Sequence, residues 1–92
     1  MRGLKQTPHY RRDIRKLSKE IQFDSFNVVQ KLCINPFHDS LDVRKLKGYL
    51  HFYRVKVKRD YRIVFTFDET NIYLLRIAHR KDIYQLDLDF DF

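Results

Sequence analysis

Residues 51–67 read HFYRVKVKRDYRIVFTF, and the alternation within them decides the fold. Tyr53, Val55 and Val57 share one parity, while Phe52, Arg54, Lys56 and Lys58 share the other. After Arg59-Asp60 the apolar parity returns as Tyr61, Ile63, Phe65 and Phe67, set against Arg62, Val64 and Thr66. Period-two alternation of β-branched and aromatic residues marks strands with one buried face, and so short a connection makes the two strands antiparallel neighbours. Asp68-Glu69-Thr70-Asn71 is a second turn, and residues 72–79 form a third strand apolar enough for the middle of a sheet. The same periodicity predicts that Arg54 and Lys56, Arg62, and Arg76 or Arg80 gather on the face away from the core. Like charges opposite one another destabilise a sheet, so such a gathering calls for an anion or another function.

The chain upstream reads as helical. Arg2 to Gln6 carries a weak strand signal; Thr7-Pro8 then has the form of an N-cap with proline in the first turn, and Tyr10, Ile14, Leu17 and Ile21 follow at helical spacing. The other faces of this helix hold Arg11, Arg12, Arg15, Lys16 and Lys19. A second helix is expected from Asp24 or Ser25, turning Phe26, Val29, Leu32 and Cys33 inward and stopping at Asn35-Pro36, because the residue before proline is driven out of helical conformation. Residues 36–49 read as a loop pinned by Phe37, Leu41, Val43 and Leu46. The order predicts an α+β fold: a small curved antiparallel β-sheet with two N-terminal helices packed on one face.

Ninety-two residues leave room for one small domain, placed at 1–85, followed by an acidic-apolar tail at 86–92. The tail alternates Leu86, Leu88 and Phe90 with Asp87, Asp89 and Asp91, which suits packing on the domain or on a second copy of the chain. Cys33 is the single cysteine, so no internal disulfide forms, and a reducing cytoplasm is the compartment that fits. No window reaches the roughly 20 apolar residues of a membrane span, and Met1 to Leu4 lacks a signal-peptide core. The histidines share no metal-ligand spacing, so neither a metal nor a cofactor is expected. The net charge of +7 is concentrated at residues 2–19 and 44–62, where Asp13 and Asp60 are the only acids, which points to a polyanionic partner.

The stretch RIAHRKDIY (76–84) places an imidazole, two further cations and a phenol directly after an apolar strand, groups that a core excludes. Taken with KLKG (45–48), YRVKV (53–57) and DYRIVF (60–65), in this order and with these gaps, it resembles the RelE branch of the RelE/ParE toxin superfamily. The resemblance covers most of the chain and implies a toxin of a type II toxin–antitoxin system that cuts messenger RNA, commonly on the ribosome. It also implies an antitoxin protein that holds the toxin inactive and through which alone it meets operator DNA. Position by position, Arg54 and Lys56 match a basic pair that contacts RNA and assists cleavage, Arg62 matches an arginine that stabilises phosphate, Arg80 matches a catalytic arginine, and Tyr84 matches a tyrosine that stacks on or orients a base. His79 stands where some members carry lysine, which leaves the acid–base duty open between His79, Tyr84 and a cation. Lys45, Lys47, Lys58 and Arg76 complete the candidate RNA contacts, although solvated charge is the plainer reading of Lys45 and Lys47.

Cleavage through the ribose 2′-OH needs a base, charge stabilisation at phosphorus and a proton for the leaving oxygen. The planar fork of Arg62 and Arg80 suits the second task, and the near-neutral titration of His79 suits the first or third. Lys56 is a further candidate acid or base. Against this enzymatic reading stand two others: a ParE-like protein that poisons DNA gyrase by binding, which AHRKDI partly resembles, and a decayed toxin that binds only its antitoxin.

Overall fold

The computed structural model describes residues 1–86 and 88. In chain order the elements are β1 (Gly3–Gln6), α1 (Pro8–Arg15), α2 (Lys19–Ile34), β2 (Arg44–Lys45), β3 (Tyr53–Val57), β4 (Tyr61–Phe67) and β5 (Asn71–His79), with 3₁₀ turns at Asp39–Leu41 and Ile83–Gln85. The strands form one sheet in the order β1-β5-β4-β3-β2. The α+β class and the two helices agree with expectation. The sheet, however, is mixed: β2 to β5 are antiparallel neighbours, whereas β1 runs parallel to β5, pairing Gly3 with Asn71 and Gln6 with Leu74.

The helices divide where the apolar spacing hides a break. Thr7 caps α1, its Oγ1 accepting from the Tyr10 N–H at 3.0 Å and donating to the Leu75 carbonyl at 2.7 Å, so one side chain both starts the helix and ties it to β5. Ser18 then caps α2 by accepting from the Ile21 N–H at 3.2 Å. Helix α2 therefore begins at Lys19, ahead of Asp24, and Ile21 belongs to it. The Gln22 side-chain amide donates to the carbonyls of Ile14 and Leu17, each at 3.1 Å, and so ties the end of α1 to α2. Asn35 is extended and ends α2 before Pro36 as expected.

Val29, Leu32 and Cys33 of α2 and Tyr10 of α1 pack on Val55, Val57, Ile63, Phe65, Ile72, Leu74 and Ile77 of the sheet. Phe26 departs from expectation and stays 60% exposed. Burial pushes the Tyr10 phenol and the Cys33 thiol up from their ordinary pKa values, as expected for core groups.

The opposite face is not purely cationic. Leu46, Val64, Leu75, Ile83 and Leu88 form a second buried cluster there, with Phe52, Tyr73, Ala78 and Leu86 packed around it. Complete burial of a side chain such as Ile83 contributes roughly 2 kcal/mol, enough to hold the segment after β5 against the sheet. Of the tail, Leu86 and Leu88 thus pack on the domain; Asp87, Asp89, Phe90 and Asp91 lie outside the described residues. One irregularity interrupts β5: Phe65 pairs with Leu74 and Val64 with Arg76, so Leu75 is an extra residue in a β-bulge. No helix of the described residues is long and apolar enough to cross a membrane.

Candidate nucleic-acid interface

Because Tyr53, Val55 and Val57 face the helices, Arg54 and Lys56 face the other way. Arg44 on β2 stands directly opposite Arg54, and Arg62 on β4 directly opposite Lys56. Arg80 joins them from the end of β5, where its N–H donates to the Asp60 carbonyl at 2.6 Å and its Nε lies 3.8 Å from Asp60 Oδ1. Among the described residues two acids temper the patch. Asp42 lies 3.3 Å from Arg44 and 3.6 Å from Lys56, and these cations, Arg44 foremost, hold its carboxyl below the usual range. Asp60 serves the other end.

Arg62 sits at the centre. Its Nη1 donates to the carbonyls of Tyr61 at 2.8 Å and Arg59 at 3.0 Å, which fixes the guanidinium close to the sheet. Burial first, then the charges of Arg54 and Arg80, lower its pKa, while Tyr84 and Asp60 act in the opposite sense. Arg54 Nη1 is buried without a hydrogen-bond partner. Beside Arg54 opens a groove of about 550 Å³, floored by Leu46 and Leu88, rimmed by Arg44, Lys45 and Lys47, and walled by Tyr49 and Tyr84. That volume is within the range of ligand sites. Crowded arginines, an unsatisfied donor and an adjoining concavity together suit a phosphate with an attached base.

Arg54, Lys56, Arg62, Arg80, Tyr84, Lys45 and Lys47 are therefore brought together, and three other expected site residues are not. Lys58 has a φ of +55°, which swings its ammonium toward α2, 3.6 Å from Asp24 and 4.0 Å from Glu20. Arg76 makes a bidentate ion pair with Asp13 of α1 at 2.6 and 3.0 Å, the two side chains only 17% and 14% exposed. The same carboxylate accepts the Ile77 N–H at 3.2 Å, covering the edge of β5 beyond the end of β1. His79 pairs with Tyr61, and their rings meet edge-on at 5.6 Å on the helix side of the sheet. Its Nδ1 accepts from the Lys81 N–H at 3.1 Å. The bulge explains this: strict alternation from Leu75 would have turned Ile77 and His79 toward the groove, whereas the extra residue gives that side to Ala78.

Arg44 and Tyr49 belong to the groove without having been singled out in the sequence. A two-residue β2 shows no alternation, so the register that sets Arg44 against Arg54 has no sequence signature. Tyr49 lies in an irregular loop where parity says nothing; the adjacent KLKG stretch was the available hint. Among the described residues no three His, Cys, Asp or Glu side chains are grouped so as to hold a metal ion.

Residues 4–84 match the family described as ParE toxin of type II toxin-antitoxin system, parDE. Toxin RelE3 of Methanocaldococcus jannaschii is 34% identical over 85 residues, spanning 91% of this chain and 85% of that protein. Among solved structures, a chain of the RelB–RelE antitoxin–toxin complex from Methanococcus jannaschii is similar with a TM-score of 0.72 and 26% identity, over 88% of this chain and 95% of that one. The Escherichia coli DinJ–YafQ toxin–antitoxin complex shares the fold, with a TM-score of 0.76 at 12% identity over 90% of this chain and 97% of the other. On the length of the family match and the identity to RelE3, the chain belongs to the ParE toxin family and is a RelE-like toxin of a type II toxin–antitoxin system.

Proposed function

We propose that this toxin is an endoribonuclease that cuts messenger RNA on the ribosome, in the cytoplasm, until an antitoxin occupies it. The observation that carries the reading is the opposition of Lys56 and Arg62 across β3 and β4, with Arg54 and Arg80 beside them. In the step proposed, the ribose 2′-oxygen bonds to the adjacent phosphorus and the bond from phosphorus to the 5′-oxygen breaks, giving a 2′,3′-cyclic phosphate and a free 5′-OH. Arg62 and Arg80 hold the non-bridging oxygens as charge builds on them, and Arg54 secures the neighbouring phosphate. With His79 turned to the helix side, Lys56 and Tyr84 are the proton-transfer groups at the patch: the Lys56 ammonium protonates the leaving oxygen and becomes the amine, and Tyr84, reacting as the phenolate, takes the 2′ proton and becomes the phenol. Presentation of the message by the ribosome would supply much of the orientation that the reaction needs.

An antitoxin partner is supported by the solved relatives, which are complexes of toxins with antitoxins. A disordered acidic segment that folds on binding suits the cationic face. Operator DNA would be met only through that antitoxin.

Purified protein added to translating ribosomes should generate new 5′ ends within messages, and Arg62→Ala should lower the rate by about a hundredfold or more while melting like the wild type. The match to ParE toxins favours a second reading, inhibition of DNA gyrase by binding. Intact messages together with DNA-damage signalling on expression would select it and sink the first, and normal growth without antitoxin would mark a decayed toxin.

A further inference from the structure

The groove beside Arg54 has one wall that the phosphate chemistry does not use. Tyr49 lies flat on Phe52, ring centroids 5.2 Å apart and planes 13° from parallel, and Phe52 is itself packed against the Leu46, Val64 and Leu75 cluster. The loop presenting Tyr49 is closed by backbone bonds, from the Leu46 N–H to the Phe52 carbonyl at 2.8 Å and from the Tyr49 N–H to the Leu46 carbonyl at 3.2 Å. Gly48 permits this turn with a φ of +87°, a conformation that L side chains resist. The tyrosine ring is therefore preset by backbone and core, yet Tyr49 remains 42% exposed. Independently, Arg54 Nη1 is buried without an acceptor, a condition that costs free energy until an acceptor arrives.

An aromatic platform, an apolar floor, an unsatisfied guanidinium N–H and lysines at the rim have one common ligand chemistry. A nucleobase offers a π face to the ring and an acceptor edge to the arginine, and its backbone phosphate meets the lysines. Only an unpaired base exposes its face, so the ligand is single-stranded. We propose that the groove binds a second unpaired nucleobase, stacked on Tyr49, beside the nucleotide that meets Tyr84. This deepens the RNA reading and rests on it for the identity of the polymer, but the contact is separate from cleavage and separately measurable.

The test is a titration of a short single-stranded RNA that carries 2-aminopurine, with 2′-O-methyl riboses to prevent cutting, without ribosomes. Binding should quench the probe. Tyr49→Ala should weaken binding roughly five- to a hundredfold and abolish the quench, whereas Tyr49→Phe should stay within about twofold of the wild type. Tyr49→Leu, which keeps Phe52 covered, should be as weak as alanine, so that a loss with leucine cannot be put down to unfolding. The salt dependence should be unchanged in Tyr49→Ala, because stacking releases no counterions, but shallower by about one unit of slope in Lys47→Ala. Wild-type affinity and quench in Tyr49→Ala, no binding by the wild type, or a Tyr49→Phe as weak as alanine would each overturn the proposal. If the wild type binds and quenches but cuts no message on ribosomes, the nuclease reading fails and the stacking site stands. If it cuts messages while Tyr49→Ala binds as the wild type does, the reverse holds.

Discussion

On the helix side of the sheet, Val55, Val57, Ile63, Phe65 and Ile72 meet Tyr10, Val29 and Leu32 in a continuous apolar layer. On the other side, Val64 and Leu75 meet Leu46, Ile83 and Leu88 in a smaller cluster with Phe52, Tyr73, Ala78 and Leu86 around it, and Arg44, Arg54, Lys56 and Arg62 stand nearby. Like charges across neighbouring strands oppose folding. The helix face thus supplies stability that the groove face lowers, and the five residues of the second cluster offset part of that loss. Charges are also handled differently on the two sides. Asp13 and Arg76 neutralise each other almost fully out of water, while Arg54 keeps an unsatisfied N–H at a groove open to solvent. At the site Arg54 is left available, whereas Lys58 and Arg76 are consumed by Glu20, Asp24 and Asp13 of the helices.

The largest effect should come from breaking the helix side. Asp13→Ala leaves Arg76 and the Ile77 N–H without an acceptor, and a loss of about 3 kcal/mol is expected, read from denaturant midpoints. A shift below a few tenths would show that the two faces do not differ in how their charges are held. Next comes the contrast of two lysines two residues apart. Lys56→Ala should weaken single-stranded RNA binding and reduce its salt slope by about one, while Lys58→Ala should leave both unchanged, because its ammonium lies beside Asp24 and Glu20.

A smaller effect is expected at His79. A proton-transferring histidine would cost about a hundredfold or more on replacement, whereas its place on the helix side predicts message cleavage by His79→Gln within a few-fold of the wild type. The smallest lies at the β4–β5 turn, at the end of the sheet away from Arg62. There Asp68 accepts the N–H groups of Asn71 and Thr70 and the Tyr73 hydroxyl, and the Asn71 bond foremost lowers its pKa to about 2. A depressed folded-state value means the carboxylate stabilises the fold above its unfolded pKa of about 4 and loses that contribution as pH falls toward the folded value. Denaturation midpoints should therefore favour the wild type over Asp68→Asn at neutral pH and converge with it between about pH 4 and about pH 2.

What the sequence disclosed was whatever obeys parity. The limits of β4, the sides taken by Arg54, Lys56 and Arg62, and the inward residues Val29, Leu32 and Cys33 all follow from regular periods. The misplacements occur where a period breaks without leaving a signal. Leu17 and Ile21 continue the spacing of Tyr10 and Ile14 across a change of helix, and only Ser18, an ordinary residue, marks the boundary. Lys58 reverses side through one positive φ at a lysine, a residue that does not advertise it. The bulge at Leu75 adds no glycine or proline, so the change of phase that carries His79 to the helix side leaves no mark in the sequence. The partner that removes Arg76 comes from Asp13, distant in the chain and apposed only by folding.

The bulge also gives the groove side of β5 one more apolar side chain than an even ladder would. Excising Leu75 would close the ladder without changing a pair, since Val64 would still meet Arg76, Arg62 would still meet Ala78 and Tyr61 would still meet His79. What would go is a fully buried leucine lying with Val64 and Ile83, a loss of roughly 2 kcal/mol or more. The inserted residue is thus a roof tile for the thinner side of the sheet, and the groups that meet the phosphate would keep their places without it.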